Sequence, residues 1–139
     1  LIVRLHPLDR ERLERRHVLP KFRECPEFGT FTLMAVADAV ITDYSAISIE
    51  ASLIKKPVYF YVYDLERYKE TRGFDPLAEM PHCAFTKAEP LVDSILHTPY
   101  DYEKLTAFRK EFVETDDTNN TQRCVDLIMT FLTEGIKDR

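Results

Sequence analysis

Residues 39–62 read AVITDYSAISIEASLIKKPVYFYV, and this stretch decides the fold. Ala39-Val40-Ile41 is a short apolar run of strand type, and Thr42 to Ser45 is a polar turn rich in the residues that start helices. A helix is predicted from that turn to about Ile54, where Lys55-Lys56-Pro57 stops it, because proline can neither donate its backbone nitrogen nor continue the helix. Val58-Tyr59-Phe60-Tyr61-Val62 follows without alternation. An uninterrupted β-branched and aromatic run is what a parallel strand covered on both faces requires. Strand, turn, helix and strand in this order make a βαβ unit, and with it an α/β class.

The pattern extends outward on both sides. Leu1 to Leu5 alternates apolar residues and is expected to be a buried strand ended by His6-Pro7, and Asp9 to His17 a charged helix. Thr30 to Ala37 is a short helix that runs into the Ala39 strand. Downstream, Asp64 caps a helix to about Lys69, and Cys83-Ala84-Phe85 is a last short strand. Thr86 and Glu89 have the spacing of a capping box opening a helix to His97. Two more helices are expected, about Tyr102–Glu114 and about Asn120–Glu134. The second carries Val125, Ile128 and Leu132 on one stripe and stops at Gly135. The prediction is one Rossmann-like domain over residues 1–139, a parallel sheet flanked by helices. With only about four strands, and an apolar run that starts at Leu1 itself, the chain reads as a piece of a longer polypeptide that lacks the first strand of its domain.

The 139 residues carry a formal net charge of −5, which argues against a nucleic-acid surface, where a basic excess must displace counterions. Cys25, Cys83 and Cys124 form no CxxC pair and are read as reduced, buried thiols of a cytosolic protein, with no metal site. No apolar run approaches the roughly 20 residues that span a bilayer. The glycines of a Walker or dinucleotide loop are missing, so no nucleotide cofactor is expected. Arg10, Arg12, Arg15 and Arg16 interleave with Asp9, Glu11 and Glu14, as on a solvated helix.

Ligands of open parallel sheets bind beyond the carboxyl ends of the strands. Polar residues gather at three such ends: His6, Thr42 to Ser45, and Tyr63-Asp64. At the second, the free N–H groups around Ala46 to Ser48 and the helix dipole offer an anion hole, with Ser45 as the N-cap and Thr42 as a further donor. A plain capped turn with no ligand satisfies the same spacing. Asp43 would repel a phosphate and is expected to turn inward as a hydrogen-bond acceptor. Glu50 suits ribose hydroxyls or solvated surface equally. His6 can act as general acid or base, or be an ordinary hydrogen-bonded histidine, and Arg72 is a loop cation able to reach a phosphate.

Residues 37–74, ADAVITDYSAISIEASLIKKPVYFYVYDLERYKETRGF, closely resemble the signature of the CDP-glycerol glycerophosphotransferases that build teichoic acids. LIVRLHP at Leu1–Pro7 is similar to that family's upstream strand with its His-Pro, and DDTNNTQRCVDLI at Asp116–Ile128 to its closing segment. The resemblance implies the C-terminal half of a GT-B fold, in which this domain holds a CDP-glycerol or similar CDP-polyol donor. It implies His6 as the catalytic residue near the pyrophosphate. The expected substrate-binding set is Thr42, Asp43, Ser45, Ala46, Glu50, Arg72 and Asp117, with Thr42 and Ser45 on the diphosphate and Arg72 steadying its charge. The implied reaction is attack by a teichoic-acid-type acceptor hydroxyl on the glycerol-bearing phosphate, releasing CMP. The acceptor would sit on an N-terminal domain absent here, so these residues alone would be inactive. The full-length protein would work in the cytoplasm, peripherally at the inner face of the membrane. The sequence departs from the family at Ala46, at Ile49-Glu50 and at Thr118, where serine, Phe-Asp and glycine are usual. Two other readings use the same residues: a GT-B glycosyltransferase taking a UDP- or CDP-sugar through Glu50 or Asp64, and a nucleotide-binding module without catalysis.

Overall fold

The computed structural model describes residues 1–5, 7–16, 22–72, 83–113 and 118–134. In chain order they form α1 (Pro7–Arg15), α2 (Thr30–Val36), β1 (Val40–Thr42), α3 (Ile47–Leu53), β2 (Val58–Tyr61), α4 (Leu65–Arg72), β3 (Ala84–Phe85), α5 (Ala88–His97), α6 (Tyr102–Phe112) and α7 (Asn120–Glu134). The sheet has three parallel strands in the order β1-β2-β3. Val40 pairs with Val58 and Thr42 with Phe60, while Phe60 pairs with Ala84 on the other side. β2 is therefore central, and Val58, Tyr59, Phe60 and Val62 are all buried, as the unbroken apolar run predicted of this strand. Tyr59 meets Tyr100 edge to face at 5.3 Å, and Phe60 meets Phe108 of α6 at 6.5 Å. α3 packs on β1, β2 and α6, and α5 on β2 and β3.

The ladder on the β3 side of β2 begins only at Phe60. Below it, the Tyr100 hydroxyl accepts the Val58 N–H and donates to the Val58 carbonyl, both at 3.1 Å. It serves as a side-chain substitute for a strand partner, which a fully buried residue needs. Cys83 is buried against the same hydroxyl, and burial pushes its thiol up to about 12, so it stays protonated near neutral pH.

Several local expectations are corrected. Leu1 to Leu5 is no buried strand: it makes a single bridge, Ile2 with Arg23, and Leu1 is 94% exposed. Alternation specifies a face for a partner without supplying the partner, so the described residues form three strands where about four were expected. α1 starts at Pro7 rather than Asp9, because the ring that ends a strand is also preorganised for the first helical position. Most of its charges pair within the helix, Arg10 with Glu14 at 3.7 Å and Arg12 with Asp9 at 3.6 Å, while Arg10 also reaches Glu24. Thr86 and Glu89 form no capping box. α5 begins one residue later, with Lys87 at the N-cap and no side-chain cap, and Pro90 at the third position has no N–H to cap. Asp101 does cap α6, accepting from the N–H groups of Glu103 at 3.1 Å and Lys104 at 3.0 Å. The Lys104 N–H holds its carboxyl below the usual range. The Val125, Ile128 and Leu132 stripe exists on α7 but is exposed, with Leu132 at 73%. Gly135, its expected stop, lies outside the described residues. Cys83 alone is buried; Cys25 is half-buried and Cys124 exposed. No described helix is long and apolar enough to cross a membrane.

The end of α3 carries backbone strain. The Lys56 N–H bonds to the Ala51 carbonyl and the Lys55 N–H to that of Ser52, the paired closure of a Schellman motif. That motif puts its extra residue in the left-handed region, and Lys55 sits there with φ 54°. A side chain in this region costs about 1–2 kcal/mol that glycine avoids, against about 0.5–1 kcal/mol of added chain entropy. Lys55→Gly is expected to raise the urea midpoint by an amount equivalent to about 0.5–1 kcal/mol, and Lys55→Val to lower it. A lower midpoint for the glycine variant would contradict the strain.

Candidate functional site

Because β1 and β2 are parallel, the Thr42–Ser45 turn and the Tyr63-Asp64 step open on one edge of the sheet. Thr42 closes β1 opposite Phe60 and is half-buried. Asp43, Ser45 and Ala46 are exposed, with Tyr44 half-buried between them. The Ser45 hydroxyl accepts the Ile47 N–H at 3.3 Å. The residue at the N-cap is nevertheless Ala46, whose side chain caps nothing. The Ser48 N–H and hydroxyl both turn back to the Ser45 carbonyl, at 3.2 and 2.9 Å. Glu50 lies in the first turn of α3, half-buried, where the positive end of the helix dipole favours a carboxylate.

Asp43 does not turn inward as expected. The inward acceptor is Asp64, which takes the Tyr44 hydroxyl at 2.9 Å. The Tyr44 ring also stacks on Tyr68 of α4, with centroids 3.5 Å apart and planes 9° from parallel. Burial first, and the Asp64 carboxylate second, raise the Tyr44 phenol above its ordinary range, so its proton stays in place at neutral pH. Sequence reasoning gave Asp64 a place at a strand end and a helix start but missed its bond to Tyr44. The two lie 20 residues apart, and no local spacing signals such a pair.

Arg72 is the last residue of α4 rather than a loop residue, and its backbone follows Tyr68 by one helical turn. His6 and Asp117 lie outside the described residues, as does the side chain of Arg72. The structure therefore brings Thr42, Asp43, Ser45, Ala46 and Glu50 together on one turn and helix start, and sets α4 beside them through Tyr68. Among the described residues no three His, Cys, Asp or Glu side chains gather as a metal site. A cavity of about 250 Å³, lined by Ser52, Lys55, Tyr102 and Arg109 among others, lies at the far end of α3. It is separate from the turn, whose Asp43, Ser45 and Ala46 are exposed.

Residues 1–130 match the family described as CDP-Glycerol:Poly(glycerophosphate) glycerophosphotransferase. The teichoic acid glycerol-phosphate primase of Bacillus subtilis (strain 168) is 32% identical over 130 residues, covering 92% of this chain and 34% of that protein. The teichoic acid ribitol-phosphate primase of Bacillus spizizenii (strain ATCC 23059 / NRRL B-14472 / W23) is 33% identical over 111 residues, 78% of this chain and 28% of that one. A solved structure of the wall teichoic acid polymerase TagF soaked with CDPG matches the fold with a TM-score of 0.61 at 24% identity, over 99% of this chain and 36% of that chain. The chain thus spans about a third of the length of these proteins, and its Rossmann-like sheet is of the kind that forms half of a GT-B fold. On the match over residues 1–130, the chain belongs to the CDP-glycerol:poly(glycerophosphate) glycerophosphotransferase family of transferases.

Proposed function

We propose that residues 1–139 form the nucleotide-donor domain of a polyol-phosphate transferase, which holds a CDP-activated glycerol or ribitol at the Thr42–Ser45 turn. The observation that carries this reading is the family match, because its residues 1–130 include the turn, its helix and α4. Glycerol and ribitol primases are matched at nearly equal identity, so the supported donor class is the CDP-polyol rather than one polyol. In this reading Thr42 and Ser45 donate to the diphosphate, assisted by backbone N–H groups near Ala46, and Glu50 accepts from ribose hydroxyls. Arg72 and His6 approach the transferred phosphate, and Asp117 meets the nucleotide. An acceptor hydroxyl then attacks the polyol-bearing phosphorus, and CMP leaves with the bridging oxygen. Such a transfer depends on positioning and on donors aimed at the developing charge, which is the work these residues would do.

Isothermal titration of the chain with CDP-glycerol, CDP-ribitol and a UDP-sugar tests the proposal. Binding of the CDP-polyols is expected, weakened about 10- to 100-fold in Ser45→Ala, since a hydrogen bond to a charged group contributes about 1.5–3 kcal/mol. Binding of the UDP-sugar alone would overturn the donor class in favour of a glycosyltransferase.

A further inference from the structure

We propose that Tyr44, Asp64 and Tyr68 form a clamp that holds the Thr42–Ser45 turn in its ligand-receiving shape, with Tyr44 as a positioning residue. The inference rests on the donor reading above for its consequence, and on geometry alone for its existence. The turn has little support of its own. β1 is three residues long, the N-cap Ala46 makes no side-chain bond, and the Ser45 hydroxyl bond to Ile47 is long at 3.3 Å. Beyond the pairing of Thr42 with Phe60, what ties the turn down from outside is Tyr44, through its hydroxyl on Asp64 at 2.9 Å and its ring on Tyr68 at 3.5 Å. Both partners belong to one segment, the start of α4 and its first turn, so Tyr44 joins the turn to α4 through a single side chain.

The anchoring has a direction. Tyr44 is half-buried while Asp43 and Ser45 on either side are exposed. Seating the middle residue therefore presents the flanking ones outward. It also engages Asp64 with a tyrosine, which leaves that carboxylate poorly placed to grip a sugar hydroxyl, the role it would need in a glycosyltransferase. Finally, it fixes α4 against the turn, and Arg72 follows Tyr68 by about 6 Å of helix axis.

Amide hydrogen exchange and CDP-glycerol titration on the 139-residue chain test the clamp together. In Tyr44→Phe the ring and its stack remain and only the hydroxyl is lost. Exchange of the Ile47 and Ser48 amides is expected to quicken about tenfold, with α6 unchanged, and CDP-glycerol affinity to fall about 3- to 10-fold. Asp64→Asn keeps an acceptor and is expected to stay near wild type, whereas Asp64→Leu should match Tyr44→Phe. Unchanged Ile47 and Ser48 exchange in both Tyr44→Phe and Asp64→Leu would overturn the clamp. Faster exchange in a chain whose wild type binds no CDP-glycerol would uphold the clamp and overturn the donor reading instead.

Discussion

Phe60→Ala is expected to lower stability by about 3–5 kcal/mol, the usual range for removing a buried aromatic ring. Phe60 sits on the central strand, 4% exposed, paired with Thr42 on one side and Ala84 on the other. Its ring meets Phe108 at 6.5 Å and 70°, and Phe108 in turn meets Phe112 at 4.8 Å. Alanine would leave a cavity between β2 and α6 that neighbours on both sides are too constrained to fill. With typical domains stable by about 5–15 kcal/mol, this is roughly a fifth of the total or more. Urea unfolding should show a lower midpoint with an unchanged slope. A loss under about 1 kcal/mol would mean that the contact between β2 and α6 is looser than the ring geometry indicates.

Tyr100→Phe removes one oxygen and is expected to cost about 2–4 kcal/mol. The ring contacts to Tyr59 and Tyr102, each at 5.3 Å, survive the change. The N–H and carbonyl of Val58, a fully buried residue, lose the partner they share. An unsatisfied buried polar group costs about 1–3 kcal/mol, and here there are two. The effect would be localised: the Val58 amide should lose exchange protection before the Val40–Pro57 end of the β1–β2 ladder does. Equal protection of Val58 in variant and wild type would show that another group replaces the hydroxyl.

The sequence carried the α/β class because each element's signal was local. An unbroken apolar run requires a buried parallel strand, and a polar turn between strand and helix requires a helix start. It also located the turn of the candidate site, since strand ends in a parallel sheet share an edge whatever the packing. Legibility ended where a residue's role depended on a distant partner. Leu1 to Leu5 has a strand's alternation but among the described residues bridges only to Arg23, and the α7 stripe has a core face's period but remains exposed. Local reading points to Asp43, within the turn, as the inward carboxylate, whereas the structure has Asp64 in that role.

The residues by themselves determined the fold class, the buried strand at Val58–Val62 and the place of the Thr42–Ser45 turn, because hydrophobic period and backbone propensity act within a few residues. Only the tertiary structure decided how that turn is held. The bond from Tyr44 to Asp64 and the stack on Tyr68 exist because parallel pairing of β1 with β2 brings two strand ends side by side. The same holds for Tyr100 on Val58, 42 residues away, where chain closure rather than local spacing supplies the partner.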